Sequence, residues 1–343
     1  MHRQLDSLNN QSFDLLIIGG GIYGAALARE AATRGLHTAL VEQADFCSGS
    51  SANSLKIIHG GLRYLQQADL PRVFESIRER SILLRTAPHL VSPMPCLMPT
   101  KGLAMKSRPV MAAGMLANDM LSCRRNRRLD PLRRIPNGGT LSRREILEIA
   151  PALRDTPVTG AARWVDGLAY DTERLVVGMV KAAAAAGAVV ANHVRVQSLR
   201  QEGSRITGAM VEDRLSGGSF EIRASLVINA AGPWIGRVLE GVGRPLANPA
   251  PHLALGMNLI LRNWPVQTHA MGLQSPRQSR LYFFVPWRGA VMAGTYYREH
   301  QGAPGDLRVT EQDIEAYLDA LNSCLPGAAV TRNDILAIHA GIV

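Results

Sequence analysis

Apolar and polar positions along this chain set out an alternation of strands and helices. Phe13-Asp-Leu-Leu-Ile-Ile18 is a short apolar run with polar residues before it and Gly19-Gly20-Gly21 after it, which predicts a buried parallel strand. The alanine-rich stretch from Gly21 to Arg34 follows as a helix, with Gly35 where a C-terminal cap is common, and Thr38 to Glu42 supplies a second apolar strand. These three pieces make a βαβ unit. Residues 70 to 92 read as a charged helix, and Pro88, Pro93, Pro95 and Pro99 break the chain beyond it. From 106 to 128 the pattern changes: Met111, Met115, Leu116, Met120 and Leu121 recur at helical spacing and run into Arg124-Arg-Asn-Arg-Arg128. A helix over 172–187, capped by Asp171 or Thr172 and closed by Gly187, leads into a strand at 188–190. Three β runs follow, Val194 to Leu199, Arg205 to Asp213 and Phe220 to Arg223, divided by the turn signals Glu202-Gly-Ser204 and Ser216-Gly-Gly218. Ser225 to Gly232 repeats the opening pattern of an apolar strand entering a glycine turn, and a doubly wound fold places that turn beside the first. After Pro245, β-like runs at 256–261, 280–286 and 290–297 and a helix from about Glu311 to Cys324 predict a separate antiparallel sheet.

Composition narrows the class. At 343 residues, with 46% apolar and 19% charged positions, the chain has material for two domains or one large α/β domain, and disordered or fibrous classes are excluded. Its four cysteines form no C-x-x-C pair, so neither a disulfide framework nor a zinc site is expected, no other metal site is indicated, and a reducing compartment fits. The polar first twelve residues lack the apolar core of a secretory signal, so export is not expected. The longest apolar stretch, Leu15 to Ala28, is 14 positions interrupted by glycines, too short to span a bilayer. Net charge is +10, and residues 101 to 150 carry 11 Lys/Arg against 4 Asp/Glu, a surplus of 7. The stripe over 106–128 fits either a core-facing helix with a solvated basic end or a face resting on anionic lipid. Nucleic acid is disfavoured, because aromatic residues are only 5% and do not interleave with the arginines.

The chemistry concentrates near the amino terminus. Gly19, Gly21 and Gly24 give G-x-G-x-x-G at the first strand-to-helix turn, and Glu42 lies 21 residues beyond Gly21. Small residues admit a pyrophosphate, the helix start offers free N–H groups, and an acid at the end of the second strand accepts bonds from a ribose. Strand, helix and distal acid together point to dinucleotide binding. The hydroxyl-rich loop Asp45 to Ser54 is either a solvated connector or a second set of phosphate donors. His59-Gly60-Gly61 then sets an imidazole next to two backbone positions without side chains, as expected where a flat ring lies against the main chain.

Gly19 to Gly24, Glu42, and Ser50-Ser-Ala-Asn-Ser-Leu-Lys-Ile-Ile-His-Gly-Gly-Leu-Arg-Tyr-Leu65 together closely resemble the FAD-dependent glycerol-3-phosphate dehydrogenases. Asn229-Ala-Ala-Gly-Pro-Trp234 resembles that family's second flavin motif, and Val285-Pro-Trp287 with Gly294-Thr295 resembles its substrate-domain strands. The resemblance implies an α/β flavoprotein of the D-amino-acid-oxidase-like kind. Its Rossmann-like FAD-binding domain is discontinuous, over 13–68 and 150–244, and its β-rich α+β substrate domain takes 69–149 and 245–337, with 338–343 starting a strand that returns to the FAD domain. By position, Gly19, Gly21 and Gly24 would surround the FAD pyrophosphate and Glu42 would hold the adenosine ribose. Ser50, Ser51 and Ser54 would add phosphate or ribitol contacts, the backbone at Val194 would meet adenine, and Gly232 would close the pocket. His59, Gly60 and Gly61 would sit against the isoalloxazine, with Arg63 and Tyr64 as substrate contacts and Cys47 as a small buried filler nearby.

The activity so implied is oxidation of a secondary alcohol, glycerol 3-phosphate to dihydroxyacetone phosphate. His59 is the candidate base, hydride passes to flavin N5, and a quinone or another acceptor reoxidises FAD. Such an enzyme of glycerol metabolism would be cytoplasmic, peripheral on the cytoplasmic face of the inner membrane through residues 106–128. Two departures matter. The family pattern has an arginine directly after the Gly-hydrophobic pair, where Gly341-Ile342 is followed here by Val343, which removes a bidentate phosphate clamp. The family also continues with a glycine- and lysine-containing segment, so the chain is expected to be a fragment or a homologue lacking part of the site. Oxidation of a hydroxy acid or amine, and flavin binding without turnover, therefore stand as alternatives.

Overall fold

The computed structural model describes residues 2–102, 104, 106–240, 252–262, 264–276 and 280–343. A short helix α1 (Leu5–Asn10) precedes the βαβ unit, which forms as β1 (Ser12–Ile18), α2 (Ile22–Thr33) and β2 (Thr38–Val41). Next come β3 (Ile57–Ile58), α3 (Leu62–Leu65), α4 (Leu70–Thr86), β4 (Val91–Lys101), α5 (Arg108–Leu121), β5 (Gly139–Ser142) and α6 (Arg143–Ile149). β6 (Val158–Ala169), α7 (Thr172–Ala185), β7 (Val189–Ala191), β8 (Val194–Glu202), β9 (Arg205–Asp213), β10 (Ser219–Asn229) and α8 (Ile235–Val238) complete the first two thirds. β11 (Ala254–Leu261), β12 (Ala270–Gln274), β13 (Leu281–Trp287), β14 (Ala290–Glu299), α9 (Glu311–Cys324) and β15 (Ile335–Ile342) follow.

Among the described residues the strands form two sheets. The first has the order β7-β2-β1-β10-β9-β8, parallel from β7 to β10 and antiparallel beyond. On one face, α2 presents Ala25, Ala28, Ala31 and Ala32 to Val176, Val180 and Ala183 of α7. Alanines leave little bulk between the two helices, so both lie close over the strands. On the other face Leu8 of α1 is fully buried against Phe13, Val189 and Ile222. The runs expected at 220–223 and from 225 are one strand. β10 pairs with β9 from Ser219 to Arg223 and with β1 from Arg223 to Asn229, and no glycine or proline between them breaks the ladder. Its parallel half sets Ala230 beside the first glycine turn, with the Ala230 N–H donating to the Ile18 carbonyl at 2.8 Å.

The second sheet has the order β15-β11-β14-β13-β12-β4-β6-β3, with β5 on β6, and α9 packs Tyr317, Ala320 and Leu321 against it. Two features depart from the apolar pattern. The helix read over 70–92 ends at Thr86, and the prolines at 93, 95 and 99 lie inside a strand, β4. All three share one parity opposite β6, so each ring takes a position whose missing N–H would point away from that partner, while β12 on the other side pairs only at Cys96 and Leu97. β6 itself is marked by no periodic pattern, because Gly160, Ala161, Ala162 and Gly167 have weak strand preference; tertiary pairing decides it. By hydrogen bonding, β3 and β6 belong to the second sheet, although the expected boundaries put both with the nucleotide-binding part. Residues 338–342 likewise pair with β11 there, and the end of β15 meets the loop that follows β2 through Ser50, whose hydroxyl donates to the Ile342 carbonyl. The boundary expected between 244 and 245 lies outside the described residues.

Candidate functional site

Where β1 enters α2, the chain turns through Gly19, whose φ of +107° is a left-handed conformation that side chains oppose. A Cβ at Gly24, one helical turn on, would overlap the Gly19 carbonyl oxygen, so helix and turn approach more closely than any other residue permits. Gly21 stands at the N-cap with no side chain to satisfy the helix's free N–H groups. Beside this turn is a cavity of about 410 Å³, lined among others by Gly19, Gly21, Glu42, Ser50, Ser51, Val194 and Gly232. Seven of the expected cofactor residues thus meet on one surface, with Gly24 directly behind it.

Local contacts refine their roles. The Glu42 carboxylate accepts from the Gly20 N–H at 2.7 Å through one oxygen and from the Ala44 N–H at 2.8 Å through the other, which fixes its plane and leaves further lone pairs for hydroxyl donors. Ser51 Oγ accepts from the Ile22 N–H at 3.0 Å and so shares the start of α2 with any anion bound there. The Val194 N–H donates to the Glu42 carbonyl at 2.8 Å. Cys47 also lines the cavity and is buried; burial pushes its thiol up to about 12, which keeps it protonated and unreactive as the filler expected.

The remaining expected residues lie further along the same loop, away from that cavity. Ser54 is exposed and its hydroxyl accepts from the Lys56 N–H at 3.4 Å. His59 is half-buried, with its ring edge-on to Tyr64 at 5.6 Å, and Arg63 and Arg72 each place a guanidinium 5.7 Å from the Tyr64 ring. Burial holds the His59 imidazole below its ordinary value; the Asp166 carboxylate opposes this, and Arg63 and Arg80 add to it. The Gly61 N–H donates to His59 Nδ1 at 3.3 Å, so the neutral ring carries its hydrogen on Nε2 and its lone pair on Nδ1.

Three further residues join these parts. Lys56, buried, donates from Nζ to the Ala52 carbonyl at 3.0 Å and Thr172 Oγ1 at 2.9 Å, pinning the loop to the start of α7. Asn258 of β11, also buried, donates to the Asn53 carbonyl at 2.8 Å and accepts from Thr295 Oγ1 at 2.8 Å. Asp166 accepts from the Gly60 N–H at 2.7 Å. Lys56 lies inside the serine-to-leucine motif, where the sequence reading gave it no role; Asn258 and Asp166 come from distant strands and carry no motif signal.

Residues 14–343 match the profile of DAO, FAD dependent oxidoreductase. The chain belongs to this family of FAD-dependent oxidoreductases. Curated members similar to this flavoprotein include a glycerol-3-phosphate dehydrogenase from Synechocystis sp., 32% identical over 99% of this chain and 62% of its own, and an alpha-glycerophosphate oxidase from Streptococcus pneumoniae, 33% identical over 98% and 55%. Among solved structures, the glycerol-3-phosphate dehydrogenase from Bacillus halodurans complexed with FAD superposes with a TM-score of 0.79 at 27% identity, covering 99% of this chain and 59% of that one. The flavoprotein therefore spans about three fifths or less of the length of these relatives. Its own residues fit the cofactor of the family: the Gly19–Gly24 contact clears the main chain for a pyrophosphate, and Glu42 keeps lone pairs for a ribose. No helix among the described residues is long and apolar enough to cross a membrane, and no described cluster of His, Cys, Asp and Glu could hold a metal ion.

Proposed function

We propose that this chain forms the nucleotide-binding and substrate-facing part of an FAD-dependent dehydrogenase that oxidises glycerol 3-phosphate to dihydroxyacetone phosphate. The observation that carries this is one continuous segment: the loop whose Ser50 and Ser51 line the glycine pocket leads directly into His59-Gly60-Gly61-Leu62-Arg63-Tyr64. The names of its relatives support the same substrate. Bound FAD supplies the hydride acceptor at N5, and its reoxidation falls to a quinone or another acceptor. His59 takes the hydroxyl proton. Burial keeps its ring neutral near pH 7, and among the described residues the Nδ1 lone pair is engaged only by the long Gly61 contact, which a substrate hydroxyl displaces. Arg63, exposed beside Tyr64, neutralises the substrate's anionic group.

Val343 favours a second reading. It stands where the resemblance calls for arginine and its side chain is neutral and exposed, which weakens the hold on phosphate and admits a hydroxy acid or amine. Turnover with an artificial quinone acceptor on a panel of glycerol 3-phosphate, hydroxy acids and amines separates the two. Preference for glycerol 3-phosphate supports the first. Preference for the others replaces it, and bound flavin without turnover of any substrate removes both.

The proposed enzyme is cytoplasmic and rests peripherally on the inner membrane. The stripe over 106–128 divides: Met115 is buried and Met111 and Leu121 are half-buried, while Leu116 and Met120 are 64% and 69% exposed. Phe74 of α4 is 49% exposed across a groove from Met120, and Arg78, Arg85, Arg124, Arg127 and Arg128 rim it. Apolar side chains ringed by arginine suit an anionic bilayer surface. Sedimentation with anionic vesicles, lost with neutral ones, is the expected result. Equal sedimentation with neither would remove the membrane contact.

A further inference from the structure

The His59–Gly60–Gly61 turn rests on a buried ion pair. β3 sets Ile57 and Ile58 opposite Leu168 and Gly167, so the residues after Ile58 run out over Asp166. There one Asp166 carboxylate oxygen accepts from the Gly60 N–H at 2.7 Å and from Arg80 Nη1 at 2.6 Å, while the other accepts from Trp164 Nε1 at 2.7 Å. Arg80 Nη1 also donates to the Val165 carbonyl at 2.9 Å. Arg80 is 3% exposed and Asp166 5%. A Cβ at Gly60 would overlap the Arg80 guanidinium, so the turn lies directly on that group. Arg80 Nε is buried with no hydrogen-bond partner among the described residues.

A pair like this is a weak device for stability. Desolvating two charges offsets much of their attraction, and well-packed apolar residues of similar volume often do as well or better. Holding a main-chain N–H at a fixed distance is something apolar packing cannot do. We propose that Arg80 and Asp166 are positioning residues for the reaction, a buried mount that fixes the His59–Gly60–Gly61 turn. This rests on the reading that His59 takes the substrate's proton. The groups that face His59 are Asp166 from β6, Arg80 from α4, and Arg63 and Tyr64 from α3. Of the charged ones, Asp166 alone favours the protonated ring; Arg63 and Arg80 oppose it. The mount therefore also sets the imidazole's protonation.

Two variants of the holoprotein separate position from charge. Asp166→Asn keeps an acceptor for the Gly60 N–H but removes the one charge that favours protonated His59. Arg80→Lys keeps the charge and donors for Asp166 and the Val165 carbonyl, but removes the planar guanidinium on which Gly60 lies. His59 protonation is read by NMR titration of its ring hydrogens, independently of turnover, and kcat and KM are measured alongside. The midpoint of His59 should fall in Asp166→Asn and stay near the parent value in Arg80→Lys. In Arg80→Lys, kcat should fall about tenfold or more with KM little changed, as for a displaced catalytic group. An unmoved midpoint in Asp166→Asn together with parental kcat in Arg80→Lys overturns the proposal. Should Asp166→Asn fail to fold, Arg80→Lys decides it alone, since its charges remain balanced. If His59→Gln retains turnover while the Asp166→Asn midpoint still falls, the role given to His59 fails and the mount stands.

Discussion

The nucleotide pocket and the His59 turn are held by different means. In the pocket, most contacts come from main-chain groups and short side chains between Gly19 and Ser51: a glycine turn, a helix start, and a carboxylate gripped by two N–H groups. The His59 turn, by contrast, is held by a buried pair of charged side chains on other elements, with Gly60 bound to Asp166 across 106 positions of sequence. A pocket for a polyanion can be built from local backbone geometry, which needs little beyond glycine at the right spacing. Fixing a proton acceptor needs charge and direction, and these are gathered from across the fold.

The largest effect should come from disturbing the backbone of the pocket. In Gly24→Val the new side chain has no room beneath the Gly19 carbonyl, and FAD affinity should drop by about 100-fold or more, on the scale of other main-chain displacements. The absorbance of the purified protein and a fluorescence titration with FAD report it. A flavin-replete variant would break the pocket's half of the comparison. His59→Gln should leave FAD affinity unchanged and lower kcat about 10²-fold or more, as loss of a general base does. For the parent enzyme, kcat/KM should fall as pH drops below the lowered His59 value, itself under 6.5, because protonation removes the base. The folded state also resists that protonation, so the stability contributed by neutral His59 is complete above pH 6.5 and lost as pH falls through its folded value. A kcat/KM that shows no fall at any pH below 6.5 down to the onset of unfolding would contradict His59 as the base.

Smaller effects sharpen the contrast. Arg63→Ala should raise KM for glycerol 3-phosphate roughly tenfold while kcat stays within a few-fold, the loss of one charge-assisted contact. An unchanged KM would remove Arg63 from substrate binding. Glu42→Gln keeps one oxygen for the N–H groups and gives up one acceptor, so FAD affinity should weaken only a few-fold. Loss as large as that of Gly24→Val would mean that the charge of Glu42, and not backbone geometry, dominates the pocket.

Much of this was legible in the chain itself. The βαβ unit, β8 and β9, α9 and the return of a second glycine turn beside the first follow from apolar runs and turn residues. The pocket residues follow from spacing together with resemblance. Where local propensity and tertiary pairing disagree, the pattern misleads: β4 carries three prolines and β6 is rich in glycine and alanine, yet each forms a long strand because the other pairs with it. The mount beneath His59 falls in this same region. Trp164 and Asp166 are on β6 and Arg80 is on a helix that reads as merely charged, so no local pattern brings them together.

The most direct test of the account is the visible spectrum of the purified chain, followed by anaerobic addition of glycerol 3-phosphate. Flavin bands that bleach on addition are the predicted result, since they require the pocket and the His59 turn to serve one cofactor. Flavin bands that persist with glycerol 3-phosphate, while dithionite bleaches them, would contradict it.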